Sequence, residues 1–203
     1  MTMTTPRFAP LDASSAPPGA RPLVAASHQQ FGFTPSPVAK AARSPALLKH
    51  LLAGFGAFDR SSLAPLEREV VALTVAFHNE CHYCMAMHST ILTRQGEDRS
   101  LVASLRAGAP LEAPRLEALR RFTNAVLARR GHVTDEELQA LEAAGFSEEQ
   151  ALDVVLGIGV YVLSTFTNSV VRVEVDPAFA EHAWQPPAQA RPRAPVAREA
   201  ATP

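Results

Sequence analysis

PLEREVVALTVAFHNECHYCMAMHSTILTR, residues 65–94, decides both the fold and the chemistry expected of this chain. Its apolar residues recur at three- and four-residue spacings, the period of an α-helix. Pro65 opens one helix through about His78, since proline suits the first helical position. A second helix runs from about Cys81 to Arg94, with the break near Asn79-Glu80. Projected at about 100° per residue, Leu66, Leu73 and Ala76 fall within about 60° of Glu69, whereas Glu67 lies about 160° away and Arg68 about 100°. Glu69 is thus expected to be the one acid on the apolar face. On the next helix Cys84 and His88 project only about 60° and 20° from Cys81. Those three side chains share a face with Met85 and Leu92, and His82 sits on its flank.

The same spacing continues outward on both sides. Ser44-Pro45 starts a helix through about Phe58, with serine as N-cap and Leu47, Leu48, Leu51, Leu52 and Phe55 on one face. Helices are expected over Asp98–Ala107 and Ala113–Arg130, the latter ended by Gly131. Thr134-Asp-Glu-Glu137 and Ser147-Glu-Glu-Gln150 both read as capping boxes, so two more helices begin there and end near Gly145 and Val173. Val170–Val175 alternates enough to form a short strand as a lesser alternative to helix. The expectation is an all-α domain of six to seven helices over residues 27–184.

Composition agrees with one domain. Of 203 residues, 47% are hydrophobic and 19% charged, enough apolar surface for a core. Prolines concentrate at the ends, five in residues 1–26 and five in 185–203, which reads as a flexible N-terminal tail and a Pro/Ala-rich C-terminal tail. A net charge of −1 and an aromatic content of 6% argue against nucleic acid or an anionic membrane surface as partners. No secretory signal pattern is seen near Met1, so a cytoplasmic location is expected. Val154–Val171 is uncharged and nearly long enough to span a bilayer, but its Ser, Thr and Asn residues suit a core helix better.

Cys81 and Cys84 are the only cysteines, and His88 follows four residues later. A thiol attacks a peroxide oxygen as thiolate, so a base must take its proton and an acid must protonate the departing oxygen. His88 and Glu69 can serve those transfers. A second thiol nearby then closes the sulfenic acid to a disulfide. In a reducing cytosol a lone vicinal pair is catalytic or metal-binding more often than structural. Two thiolates, His88 and Glu69 would make four zinc ligands, although structural zinc sites usually draw on two separated pairs. A packed, inert pair is the remaining alternative. His28, His50, His78, His132 and His182 read as surface residues without partners, and Gly157-x-Gly159 reads as a close helix contact, having no nucleotide-binding context. Asn168 and Thr167 either line the site or lie in an oligomer core.

Glu69, eleven residues, then Cys81-x-x-Cys84-x-x-x-His88 resembles the motif of the AhpD-like alkylhydroperoxidases of the carboxymuconolactone decarboxylase superfamily, and its Cys-x-Tyr-Cys form the peroxidase-related branch. Residues 31–35 and 44–48 and the stretch Gly145–Val155 extend the likeness over most of 31–176. The resemblance implies an all-helical homo-oligomer, trimer or hexamer. It also implies a thiol-dependent, peroxiredoxin-type oxidoreductase that reduces hydrogen peroxide or organic hydroperoxides without metal or other cofactor. Re-reduction would come from a dithiol, of lipoyl or thioredoxin-like type. By that analogy Cys84 forms the sulfenic acid, Cys81 donates a proton and resolves, and Glu69 and His88 relay protons. The best-studied motif carries His where this chain has Tyr83, with His82 one place earlier, so both are accessory candidates in a rerouted relay. The helix N-terminus favours Cys81 as the more acidic thiol, whereas the resemblance gives the attack to Cys84; our reading takes Cys84. A non-enzymatic disulfide switch and a zinc-stabilised helical module are the alternatives.

Overall fold

The computed structural model describes residues 7–187. Nine α-helices and no strand occur among them: α1 (Arg21–Phe31), α2 (Ser36–Ala41), α3 (Pro45–Asp59), α4 (Pro65–His78), α5 (His82–Arg94), α6 (Arg99–Ala107), α7 (Pro114–Arg129), α8 (Asp135–Ala143) and α9 (Glu148–Val170). A 3₁₀-helix, Pro177–His182, follows. Helices α3 to α9 are the seven expected from residue 44 onward. The Val170–Val175 segment is not a strand; it turns out of α9, with Arg172 left-handed at φ 52°.

Local chemistry sets these ends. The Ser44 hydroxyl accepts from the Leu47 N–H, and Thr134 and Ser147 each complete a capping box, with Glu137 and Gln150 returning the bond to the cap amide. Helix α4 packs against α5, α6, α7 and α9, and every residue from Val70 to Ala76 is buried. That enclosure changes the reading of its acids. Glu67, placed by projection opposite the apolar face, is buried: Oε1 accepts from Arg115 Nε at 2.8 Å and Oε2 from the Ala64 N–H at 2.9 Å. Arg115 lies in turn over the Phe146 ring, 3.7 Å from its centroid. A helix wheel assumes one buried face, and α4 has more than one.

The flexible tail expected over 1–26 is corrected for its described part. Ala16, Ala20 and Val24 pack with Val38, Ala41, Ala42 and Leu48 in a second small core. The chain there is tied down by Leu11 N–H to the Ala39 carbonyl at 2.9 Å and by Arg43 to the Ala9 carbonyl at 2.9 Å. Asp12 gathers the N–H and hydroxyl groups of Ser14 and Ser15 on one oxygen, hydrogen bonds that hold its carboxyl below the usual range. Residues 1–6 and 188–203, the rest of both expected tails, lie outside the described residues. Trp184, at the expected end of the domain, is buried and donates its indole N–H to the Arg106 carbonyl at 2.8 Å.

Helix α9 is a core helix on one face only. Val154, Gly157, Ile158, Tyr161, Ser164, Thr165 and Asn168 are buried, while Leu152, Val155, Phe166 and Val170 are 71%, 48%, 57% and 66% exposed. Gly157 sits where α9 meets α3 and α4: a β-carbon there would stand 2.5 Å from the Phe58 ring. Gly159, two residues on, has nothing within 4 Å. Gly157→Ala is therefore expected to cost about 1–3 kcal/mol through overpacking. Gly159→Ala should instead be neutral or stabilise by up to about 1 kcal/mol through helix propensity. Chemical denaturation of both variants checks the pair; equal effects would contradict the packing described.

Candidate active site

Cys81 is the N-cap of α5, in extended conformation after a tight turn in which Glu80 has φ 51°. Cys84 lies one turn into the helix, and both thiols are free and buried. Helix α9 crosses above them. Asn168 Nδ2 reaches Cys81 Sγ at 3.6 Å and Cys84 Sγ at 3.5 Å, and Ser164 Oγ lies 3.9 Å from Cys84 Sγ. The Asn79 side chain, from the turn before Cys81, donates to Thr165 Oγ1 at 2.9 Å, pinning that turn to α9.

The two thiols differ sharply in acidity. A hydrogen bond from the Cys84 thiol is the largest influence on Cys81; burial opposes it, and the Cys84 N–H, the Asn168 amide and the His82 imidazole add to it, lowering Cys81 to about 6. Cys84, hydrogen-bonded to that thiolate and buried, is pushed well above the ordinary thiol range. Of the two, Cys81 is the more readily ionised thiol. The acidity follows the helix-terminus argument, and the residue expected to attack carries the proton.

Glu69 and His88 meet as expected: Nδ1 of His88 is 2.8 Å from Glu69 Oε2. Burial alone would lower His88, but the Glu69 charge and hydrogen bond, with lesser help from Cys81, outweigh it and raise its pKa. Its Nε2 is buried and has no hydrogen-bond partner. His88 makes no hydrogen bond to either sulfur, a correction to the direct transfer expected from their shared helix face. The imidazole lies instead edge-on to Tyr161, ring centroids 5.2 Å apart. Tyr161 is itself held neutral by burial and by the Glu69 charge.

The accessory candidates have other tasks. Tyr83 donates its hydroxyl to Asp176 at 2.7 Å and packs against Phe179; burial first, then Asp176, raises its pKa. Asp176 also accepts the Ser36 hydroxyl at 2.5 Å and the Ser36 N–H at 3.1 Å, so Tyr83 ties α5 to the chain after α9 and to α2. His82 Nε2 bonds the Val173 carbonyl at 2.8 Å. His28, His50, His78 and His132 are exposed. His28 and His182 correct the expectation of no partner: His28 Nδ1 lies 3.2 Å from the Thr34 hydroxyl, and the two ring nitrogens of His182 lie 3.2 Å from the Thr90 and Thr93 hydroxyls. Among the described residues no group of three or more His, Cys, Asp and Glu is arranged to hold a metal ion. The zinc-stabilised alternative therefore lacks a ligand set there.

A cavity of about 470 Å³ opens onto Cys84, Glu69, His88, Tyr161, Ser164 and Asn168. Its remaining walls are largely apolar, including Phe31, Leu48, Leu52, Phe55, Met87 and Ile91. Tyr161, Ser164 and Asp176 were not singled out from sequence. The signal for the first two is the spacing Tyr161, Ser164, Thr165, Asn168, a three- and four-residue polar stripe inside an apolar helix. Asp176 carries no comparable local signal.

Residues 45–125 match the family model described as the carboxymuconolactone decarboxylase family. An uncharacterized peroxidase-related protein from Ralstonia eutropha JMP134, with an alkylhydroperoxidase AhpD core, superposes with a TM-score of 0.77 at 21% identity, over 87% of this chain and 96% of its own. A peroxidase-related protein from Silicibacter sp. TM1040 gives 0.72 at 19% identity, over 88% and 96%. The debrominase Bmp8, solved with 2,3,4-tribromopyrrole, gives 0.71 at 22% identity, over 90% and 97%. No curated protein matches the chain. Residues 45–125 thus carry the likeness to that family, and the chain has the AhpD-like helical fold.

The hydrogen-bond pattern gives a titration with a defined sign. The Cys81 thiolate is present above pH about 6 and is lost as pH falls through that value. Removing the Cys84 S–H donor should shift this midpoint upward by more than removing the Asn168 amide does. Ultraviolet thiolate absorption of reduced wild type, Cys84→Ala and Asn168→Ala checks the order; an unshifted midpoint in Cys84→Ala would contradict the shared proton.

Proposed function

We propose that this protein is a thiol peroxidase that reduces organic hydroperoxides, and hydrogen peroxide less well, through a Cys81–Cys84 disulfide. The observation that carries this reading is the buried Cys84 thiol, joined to Cys81 through the Asn168 amide and facing an apolar cavity together with the unpartnered Nε2 of His88. The superfamily includes enzymes by name, and neighbours named peroxidase-related share the fold.

The proton inventory closes. Cys84 attacks a hydroperoxide oxygen while its proton passes to the Cys81 thiolate along their hydrogen bond. The O–O bond breaks, the sulfur takes OH, and the departing alkoxide is protonated by the His88 imidazolium, which Glu69 holds in place. Cys81 then attacks the sulfenic sulfur, the S–S bond forms, and the released hydroxide leaves with the Cys81 proton as water. One thiolate, one thiol and one imidazolium thus become a disulfide and neutral His88, with no proton taken from solvent. Asn168 stabilises developing negative charge on either sulfur.

A second reading has a specific observation behind it, the apolar cavity in a fold shared with a debrominase. Reductive removal of bromine from an aromatic ring also needs two electrons, one proton for the carbon and a closing disulfide. The choice between the readings lies in which oxidant closes the pair. The exposed apolar face of α9 supports the expected homo-oligomer as part of this proposal, and light scattering tests it.

Turnover of cumene hydroperoxide with dithiothreitol as reductant is expected to exceed that of hydrogen peroxide and to vanish in Cys84→Ser. His88→Ala should retain disulfide closure but slow it by about 10²-fold or more. Full activity in Cys84→Ser would overturn the assignment. Inertness toward both peroxides, with loss of bromide from tribromopyrrole, would favour the second reading.

A further inference from the structure

The two sulfurs do not share a cavity. Cys84 lines the apolar space of about 470 Å³, whereas Cys81 lines a separate one of about 240 Å³ with Asn79, Glu80, His82, Thr165 and Arg172. Asn168 borders both. The smaller cavity reaches the surface beside Ser169 and Arg172, both exposed. It differs in chemistry as well as size, with amide, carboxyl, guanidinium and hydroxyl groups around one thiol. Glu80 and Arg172 flank it in left-handed conformations, φ 51° and 52°, and Glu80 keeps a buried Oε1 without a hydrogen-bond partner. Strained backbone in non-glycine residues persists where the surroundings hold a site in shape.

We propose that the two half-reactions use separate openings: substrate meets Cys84 through the apolar cavity, and a slender alkyl dithiol regenerates the pair by attacking Cys81 through the polar one. This rests on the disulfide cycle proposed above. A donor thiolate forms a bond to Cys81 Sγ, the Cys81–Cys84 bond breaks, and Cys84 departs with a proton. The donor's second sulfur then attacks the first, freeing Cys81 as thiolate and leaving the donor as a cyclic disulfide. Two electrons pass to the protein, and the donor's two protons end on Cys84 and His88, restoring the starting state. The second sulfur on the same chain enters at an effective concentration that a free thiol does not match. Access through the smaller cavity directs the first attack to Cys81 although Cys84 is the more basic leaving group, and the acidity of Cys81 favours its departure in the second step.

The test begins from protein oxidised with diamide, so that it does not depend on any reaction with hydroperoxide. Brief exposure of that disulfide to 2-mercaptoethanol, acid quenching, alkylation and peptide mass mapping should place the mercaptoethanol adduct on Cys81 and the alkyl group on Cys84. The reverse placement would overturn the proposal. Ser169→Trp, which fills the mouth, should slow single-turnover reduction by dithiothreitol about tenfold or more relative to wild type. Unchanged reduction in a Ser169→Trp protein with native circular dichroism would also overturn it. If that variant does not fold, the mapping on wild-type protein decides alone. An adduct on Cys81 in a protein that hydroperoxides do not oxidise would support the separate opening while refuting the peroxidase reading.

Discussion

The convergence of two buried sulfurs on one side-chain amide, Asn168 Nδ2 at 3.6 Å from Cys81 Sγ and 3.5 Å from Cys84 Sγ, is the constraint on which the rest of the site depends. It requires two sulfurs one helical turn apart, which a helix supplies only if it begins at the first cysteine. The turn at Asn79-Glu80 makes that beginning. The Cys81 N–H bonds the Ala76 carbonyl at 2.9 Å, and the Asn79 side chain reaches Thr165 on α9. Helix α9 therefore serves the site twice, fixing the turn through Thr165 and the sulfurs through Asn168. Its close approach is allowed by the missing side chain at Gly157.

Charge is divided so that a buried site stays near neutral. The Cys81 thiolate is compensated by donors from Cys84, Asn168 and the start of α5, and the raised His88 by the Glu69 carboxylate. Each charge sits beside a partner, which is how low-dielectric surroundings tolerate ions. The arrangement also separates two properties that a single catalytic cysteine must combine. In the proposed cycle the acidic sulfur works as base and leaving group, while the sulfur facing the apolar cavity stays protonated until it reacts.

Much of this was legible in the amino-acid order. The seven helices from α3 to α9 follow from apolar spacing, Pro65, Ser44 and the capping boxes at Thr134 and Ser147, all of them local signals. The Glu69–His88 pair follows from projection and spacing on two helices, and the acidity of Cys81 from its place at a helix start. What was not legible depends on long-range packing. Glu67 is buried because α7 and its Arg115 close over a second face of α4. The segment before Val24 packs through small alanines and backbone bonds that leave no hydrophobic signature. Tyr83 was read as a relay candidate beside the cysteines, yet its partner is Asp176, 93 residues away, a pairing that no local pattern shows.

Above all, the two buried thiols are proposed to form a single redox unit that one equivalent of an organic hydroperoxide closes. The direct measurement is a free-thiol titration with intact mass on reduced, metal-free protein before and after one equivalent of cumene hydroperoxide. Disappearance of both thiols with loss of two hydrogen atoms from a single chain is the result expected of Cys81 and Cys84 as placed here. Survival of both thiols would contradict it and leave the pair as packed side chains rather than a peroxide-reducing centre.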